Sequence, residues 1–423
     1  MQGVRALPPR SRRATGAHLS RWIAVVALAA AATACTGDDD SPASTTSIDG
    51  TTTTTVERDD DGTLVLGVYL PVTGEGSELG QPMIEAVENT VRRINEAGGV
   101  LGHDIVVEQT DEGAGTGPGA LLEAGVDAIV GPASSLTALS HLGSMVDPVT
   151  GVVVCSPSAT ALALDDFPDN TFFFRTAPSD SLQMSAIARQ AQRTGARSVA
   201  VGYLDDPYGR GLYDAFVDDA QQLGISVLAS VPFSGGETDL SSVANDLLAV
   251  APGVITVLGN SDDGGRLLAA LDAAEVSSPE VIVNDAIRQA RQTIQSLSPE
   301  FRERLTGIAP QARGVDPNGP EGYFAAHAAD CVNLIALSVL AAGTDAPRTF
   351  RTAMANTSAD GRSCGTFEAC ALLLAQVLNI DYDGASGSVE LANTTGDPMQ
   401  ARFEAFGFDA EGAEIDVDEF DVP

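Results

Sequence analysis

The chain has 423 residues, 44% of them hydrophobic, which is enough for two domains with sizeable cores. Its formal net charge is -35, and all 23 basic residues are arginine. So acidic a chain is repelled by nucleic-acid phosphates and anionic lipid headgroups, which argues against either as a partner.

Residues 1–34 read as an export signal. Arg5, Arg10, Arg12, Arg13 and Arg21 make a positive leader free of acids, and Trp22 to Ala31 is an apolar run too short to span a bilayer comfortably. Ala32-Thr33-Ala34 then supplies small residues before Cys35. This cut fits ordinary secretion, and it also resembles a lipobox, in which Cys35 is lipidated and anchors the protein to the outside of the cell membrane. The lipoprotein reading is preferred, because a lone terminal thiol has no other evident use. Residues 35–62 are rich in Thr, Ser and Asp and bury too little apolar surface to fold. They read as a flexible tether with a reach of roughly 30 Å.

From Thr63 the pattern alternates between strand and helix. TLVLGVYL is a strand and Gln81 to Ala97 a helix; DIVVEQTD, VDAIVG and GVVVCSP are further strands. After Arg175 the alternation restarts with SVAVGYL, a helix in GRGLYDAFVDDAQQLG, the strand ISVLASVPF, a helix in TDLSSVANDLLAV and the strand GVITVLG. A helix in DDGGRLLAALDAAE and the strand VIVNDAI follow. Apolar runs of this kind between amphipathic helices indicate parallel sheets covered on both faces. Two such blocks predict an α/β protein of two lobes: residues 63–180 with 315–385 returning to them, and 181–314 with 386–421 returning as β-strands. Glu321 to Ala342 predicts one long, largely buried helix, and VELA and ARFEAFGF predict strands in the tail.

The glycine loop TGEGSELG, between the first strand and helix, is not a nucleotide site. A dinucleotide fingerprint wants a third glycine where Leu79 stands, Glu75 and Glu78 repel a pyrophosphate, and a Walker loop needs a lysine. Beyond Cys35 four cysteines remain, which in an oxidising compartment allow three full pairings. Cys364 and Cys370 flank the short segment GTFEA and are expected to form a disulfide. Cys155, in an apolar run, is a candidate for a buried free thiol, and the sequence leaves its pairing with Cys331 open. The spacings match no metal motif, so no metal site is expected.

PVTG, then Gly80, then a helix ending INEAGGVLG, then DIVV, opens a longer series: VDAIVGPASSLT, SPSAT, FRTAPSDSLQ, DDPYGRGL and YDGASGS. In that order, from about Thr63 to about Phe408, it resembles the type I periplasmic binding proteins, specifically the leucine/isoleucine/valine-binding receptors of ABC transporters. One departure is EGAGTGPGALLEAGV, where the family's second helix is longer; it reads as peripheral. The resemblance implies two lobes, each a mostly parallel sheet flanked by helices, joined by a crossover hinge. They close on a small molecule and present the closed form to a membrane permease, as a monomer without a cofactor.

In open parallel sheets ligands bind beyond the carboxyl ends of the strands, and the candidates lie there. One of Ser134 and Ser135 is expected to cap the helix that follows them. Ser135 matches the family position that receives a ligand carboxylate, at a helix end with free amides. Ser158 and Thr160 match positions offering backbone groups and a hydroxyl. Together these three make a neutral donor cluster that needs no buried arginine. Asp180 matches an acid at the cleft edge, with Asp180 or Ser179 as a helix cap. Tyr208 matches an aromatic stacked over the ligand, and Asp285 the carboxylate that pairs with an ammonium. Asn260 and Ser261 are weaker candidates.

An enzyme is disfavoured. The four histidines, His18, His103, His141 and His327, lie apart without ligand spacing, and neither a G-x-S-x-G elbow nor an H-E-x-x-H helix appears. An amino acid leads as the ligand, followed by a small amide, urea or an aromatic acid. A ligand sensor that does not transport is the rival of a different class.

Overall fold

The computed structural model describes residues 60–74, 76–314 and 319–423. The export signal, Cys35 and nearly all of the tether lie outside the described residues.

The first lobe opens with β1 (Val65–Leu70), α1 (Ser77–Glu96), β2 (Val106–Asp111), α2 (Gly119–Ala124), β3 (Ala128–Val130), α3 (Ser135–Met145), β4 (Val153–Ser156) and β5 (Phe173–Arg175). The strands pair in the order β2-β1-β3-β4-β5, all parallel. The second lobe takes α4 (Asp180–Arg193), β6 (Ser198–Leu204), α5 (Pro207–Gln222), β7 (Ser226–Phe233), α6 (Ser241–Ala249) and β8 (Val254–Leu258). It continues through α7 (Ser261–Asp272), β9 (Glu280–Asn284), the short α8 (Arg291–Ser296) and α9 (Pro299–Arg302), and β10 (Leu305–Pro310).

The chain then returns through α10 (Ala325–Ala342), α11 (Pro347–Phe350), β11 (Arg362–Cys364), α12 (Phe367–Leu374), β12 (Ile380–Gly384) and β13 (Gly387–Ser388). It ends with β14 (Ala401–Phe408) and β15 (Glu414–Val422), which complete a sheet ordered β15-β14-β10-β9-β8-β6-β7. That sheet is parallel from β10 to β7 and antiparallel where β14 and β15 join it. The fold is therefore α/β and two-lobed, and the chain passes between the lobes after β5, after β10 and before β14.

Burial explains the apolar strand runs. In β8 and β9, Ile255, Val281 and Val283 face one core of the second lobe, while Val254 and Ile282 face another. Successive side chains point to opposite faces, and both faces are covered by helices. Helix α10 is long and apolar enough to cross a membrane, yet it is the central core helix of the first lobe, packed with β3, β4 and α1. It begins four residues later than the sequence predicts. Gly322 and Phe324 adopt positive φ, and the Phe324 N–H bonds to the Ala312 carbonyl, so residues 321–324 still belong to the passage between lobes.

Two expectations need correction, and two strands were not named from the sequence. Cys155 is not a free thiol: it is bonded to Cys331 and ties β4 to α10, while a second disulfide joins Cys364 to Cys370. VELA is not a strand; Val389 and Leu391 instead bury themselves in the first lobe's core, and the second lobe's returning strands begin at Ala401. Strands β10 and β15 escaped the sequence reading. LTGIAP is interrupted by glycine and proline, and EIDVDEFDV is an acidic edge strand with little apolar alternation.

The glycine loop also finds its physical role. A Cβ on Gly80 would overlap the Pro71 carbonyl, so glycine lets α1 pack directly on the end of β1. The loop amides of Val72 and Thr73 are taken by the Asp111 carboxylate, at 2.8 and 3.3 Å. The Thr73 hydroxyl bond, with these amides, holds Asp111 down to about 2. An intrinsic anion thus occupies the donors that a phosphate would need.

Candidate functional site

Each candidate side chain sits just beyond the carboxyl end of a parallel strand: Ser135 after β3, Ser158 and Thr160 after β4, Asp180 after β5, Tyr208 after β6, Asn260 after β8 and Asp285 after β9. Local capping decides which side chains remain available. Ser134 caps α3 by accepting from the Thr137 N–H at 3.3 Å. Ser179 caps α4, accepting from the Ser181 N–H at 3.1 Å, so the Asp180 carboxyl is released from that duty. Asp206 caps α5 and Asn260 caps α7. Asn260 is thereby a structural residue.

The first-lobe donors form a connected edge. The Ser135 hydroxyl oxygen accepts from the Thr160 and Ala161 N–H groups at 3.1 and 3.2 Å, which stitches the β3 and β4 loops together. The Ser158 hydroxyl donates to the Ala133 carbonyl at 3.0 Å. Sequence reasoning missed Glu112. Its buried carboxylate accepts from the Ala133 and Ser134 N–H groups at 2.8 and 2.9 Å, and burial pushes it above the usual carboxylate range. The glycine-rich departure that read as peripheral therefore begins with the residue that anchors the serine loop. Because Glu112 takes those two donors and Ser134 takes a third, the Ser135 and Leu136 amides are the helix-end donors left for an anion.

The second pole of the site is acidic. Asp180 is buried, and its N–H donates to the Thr160 carbonyl at 2.8 Å. Asp285 is half-buried. Gln183, one helical turn beyond Asp180 on α4, donates to the Ile308 carbonyl at 3.0 Å and so ties the helix to β10. Burial, then the Asp285 charge, push Asp180 up to about 8, and burial also raises Asp285. Tyr208 faces both acids; burial and their charges raise its phenol.

Asn284, fully buried, was passed over as a strand end. Its amide donates to the Tyr208 hydroxyl at 3.2 Å and to the Gly259 carbonyl at 3.1 Å, and accepts from the Gly259 N–H at 3.1 Å. It fixes the tyrosine against the β8 loop. Sequence alone offers only one hint, a polar side chain ending an apolar strand.

The hinge is held by Arg175, which is fully buried. Its guanidinium bonds Asp397 and Asp165 at 2.6 Å each, and its N–H bonds the Gly396 carbonyl at 3.0 Å. The passage after β5 is thus clamped to the stretch that leads into β14.

Two parallel-sheet lobes joined by three crossings, with donors at one lobe's strand ends and an acidic pair at the junction, define a two-lobed solute-binding protein. A family model described as "Periplasmic binding protein" matches residues 63–370, and the chain belongs to that family, one of solute-binding proteins. A relative in Halobacterium salinarum, named "Chemotactic signal transduction system substrate-binding protein BasB", is 28% identical over 360 residues, covering 78% of this chain and 83% of that protein. The "Leu/Ile/Val-binding protein BraC3" of Rhizobium johnstonii is 26% identical over 210 residues, 48% of this chain and 56% of that one. Among solved structures, an ABC transporter substrate-binding protein from Desulfitobacterium hafniense in complex with Leu superposes with a TM-score of 0.63 at 20% identity. That match covers 84% of this chain and 100% of the other, and shows the shared type I fold.

Proposed function

We propose that this chain is the extracytoplasmic substrate-binding protein of an ABC importer. It takes a small amino acid, branched-chain or aliphatic, into the cleft between its lobes and delivers it to a membrane permease. The carrying observation is the position of Thr160, whose N–H bonds Ser135 at the anion-accepting helix end while its carbonyl accepts from the N–H of Asp180 at 2.8 Å. An α-amino acid carries its carboxylate and ammonium on one carbon, and Thr160 brings the two matching poles together. In this reading Ser135, Ser158 and Thr160 receive the carboxylate, Asp285 and Asp180 the ammonium, and Tyr208 covers it. Contacts from both lobes stabilise the closed form over the open one.

The test uses the soluble chain beginning after Thr36, with L-leucine as probe. A ligand at 100 times its dissociation constant adds about 2.7 kcal/mol, visible as a raised melting temperature. Asp285→Ala is expected to abolish the shift, whereas Ser134→Ala keeps it after a loss of about 1 kcal/mol of basal stability from the missing cap. A shift produced only by amides, urea or benzoate keeps the trap and rejects the amino acid. Equal losses in the two variants overturn the assignment of Asp285.

Residues 1–34 and Cys35 give this reading its location, exported and lipid-anchored outside the membrane. Cys35→Ser is expected to move the protein from the membrane fraction to the medium; retention on the membrane would reject the anchor. A sensor is the second reading, favoured by the name of the Halobacterium relative. Cells lacking this chain decide between them: lost leucine uptake supports the importer, while intact uptake with a lost response to leucine transfers the protein to sensing.

A further inference from the structure

Glycine inside a helix is disfavoured against every residue but proline, so each one asks for a reason. Helix α5 carries two, Gly209 and Gly211. A Cβ on Gly209 would stand 2.2 Å from the Leu204 carbonyl, so that glycine serves the packing of the second lobe itself. A Cβ on Gly211 would meet the Cδ1 of Leu162 at 3.2 Å, and no other atom from outside the helix within 4 Å. Leu162 comes from the other lobe, out of the connection between β4 and β5. The turn Leu162–Leu164 divides its side chains between the lobes. Leu164 is buried in the first lobe's core, whereas Leu162, like Tyr208 and Tyr213, packs on the second lobe's core around α4 and α5.

The strap that carries Leu162 is fastened on both sides. Before it, the Thr160 and Ala161 N–H groups donate to the Ser135 hydroxyl oxygen at 3.1 and 3.2 Å, and the Thr160 carbonyl accepts from the Asp180 N–H at 2.8 Å. The Ala161 carbonyl accepts from Arg175 at 3.3 Å, and beyond the turn Asp165 pairs with the same guanidinium at 2.6 Å. Leu162 therefore cannot retreat without disturbing the serine edge or the hinge. On the other side, Gly211 lies one helical turn beyond Tyr208, whose hydroxyl is held by Asn284 at 3.2 Å. The separation of α5 from Leu162 thus sets the separation of Tyr208 from Ser135.

We propose that Leu162 and Gly211 form a closing stop: the leucine of one lobe seats on bare backbone of the other, and this contact fixes how closely the lobes approach and hence how tightly they hold a ligand. The two are a positioning pair, outside the set that touches the ligand. The inference rests on the reading of two lobes that close on a solute, and it adds what sets the closed distance. A side chain at Gly211 props the lobes apart, and shortening Leu162 makes room for it.

The first test needs no ligand. Melting temperatures are compared for the soluble chain, Gly211→Val, Leu162→Ala and the double variant. In an open helix interior valine would do no harm in place of glycine. Here Gly211→Val is expected to lower the melting temperature, and Leu162→Ala in the same chain to restore most of the loss. Gly209→Ala, the control, is expected to melt lower and to gain nothing from Leu162→Ala, because its clash lies within the second lobe. A Gly211→Val loss that is absent, or the same with and without the Leu162 side chain, overturns the contact. Small-angle scattering reads the propping directly. The radius of gyration is expected to be larger in Gly211→Val than in the double variant, and equal radii overturn the stop.

Titration with L-leucine then reads the consequence for binding. The dissociation constant is expected to rise roughly tenfold in Gly211→Val and to recover in the double variant. Unchanged affinity in Gly211→Val overturns the link to binding. If leucine gives no heat with the unaltered protein, the amino-acid reading fails, while melting and scattering still decide the stop.

Discussion

Arg175→Met is expected to lower the stability of the protein by about 3–5 kcal/mol, the loss typical when one partner is taken from a buried ionic cluster. Arg175 is fully buried at the end of β5, with Nε on Asp397 and one terminal nitrogen on Asp165, both at 2.6 Å. The other terminal nitrogen reaches the carbonyls of Ala159 and Ala161 at 3.4 and 3.3 Å. Methionine fills much of the volume but leaves Asp397, itself buried, without its cation, and burial already raises that carboxyl above its usual range. The Ser179 hydroxyl donates its proton to the Asp165 carboxylate, whose two oxygens lie at 2.7 and 2.8 Å, so the cap of α4 loosens with it. Urea denaturation followed by circular dichroism checks the value. A loss below about 1 kcal/mol would mean that water reaches the two acids and that Arg175 does not hold the hinge. Arg175→Lys is expected to recover only part of the loss, because a point charge cannot serve two carboxylates and two carbonyls arranged around a planar fork.

Replacing both Cys155 and Cys331 by alanine is expected to cost about 4–5 kcal/mol, against about 2 kcal/mol for Cys364 and Cys370 together. The difference comes from the unfolded chain. The first bridge joins residues 176 apart in sequence, the second residues 6 apart, and a longer closed loop removes more entropy from the denatured ensemble. Cys155 and Cys331 are both fully buried, in the interface between β4 and α10 that forms the first lobe's core. Denaturation midpoints of the two double variants, measured side by side, give the ordering. Equal losses would show that the unfolded chain keeps β4 and α10 together without the bond. Thiol titration of the unfolded, unreduced protein adds a check, since neither bonded sulfur reacts even when the core is open.

Much of the fold was legible because its strands are buried on both faces. Runs such as VITVL and AIV stand out against amphipathic helices, and their order alone gives a parallel sheet. What escaped lacked that signature. β10 carries a glycine and a proline in six residues, yet it sits between β9 and β14, where neighbours supply the pairing that its own sequence does not advertise. β15 is acidic along an exposed edge, the composition that keeps an edge strand from pairing with another chain. VELA alternates like a strand, but its two apolar residues are drawn into the first lobe's core instead.

The site divides along the same line. Ser135, Ser158, Thr160, Asp180, Tyr208 and Asp285 were legible as polar residues just after apolar strands, where helix ends gather in any parallel sheet. The sequence by itself determined the class of fold and the acidic composition, because these depend on periodicity and residue type, and its resemblance to a binding-protein family supplied the candidate residues at the strand ends. Only the tertiary structure decided which serine caps its helix and which bridges to the β4 loop, that Glu112 anchors the serine loop, and that Asn284 holds Tyr208. The pairing of Cys155 with Cys331 was likewise decided there. Partners 76 to 222 residues apart are brought into contact only by the packing of the lobes, and no local pattern in the chain records them.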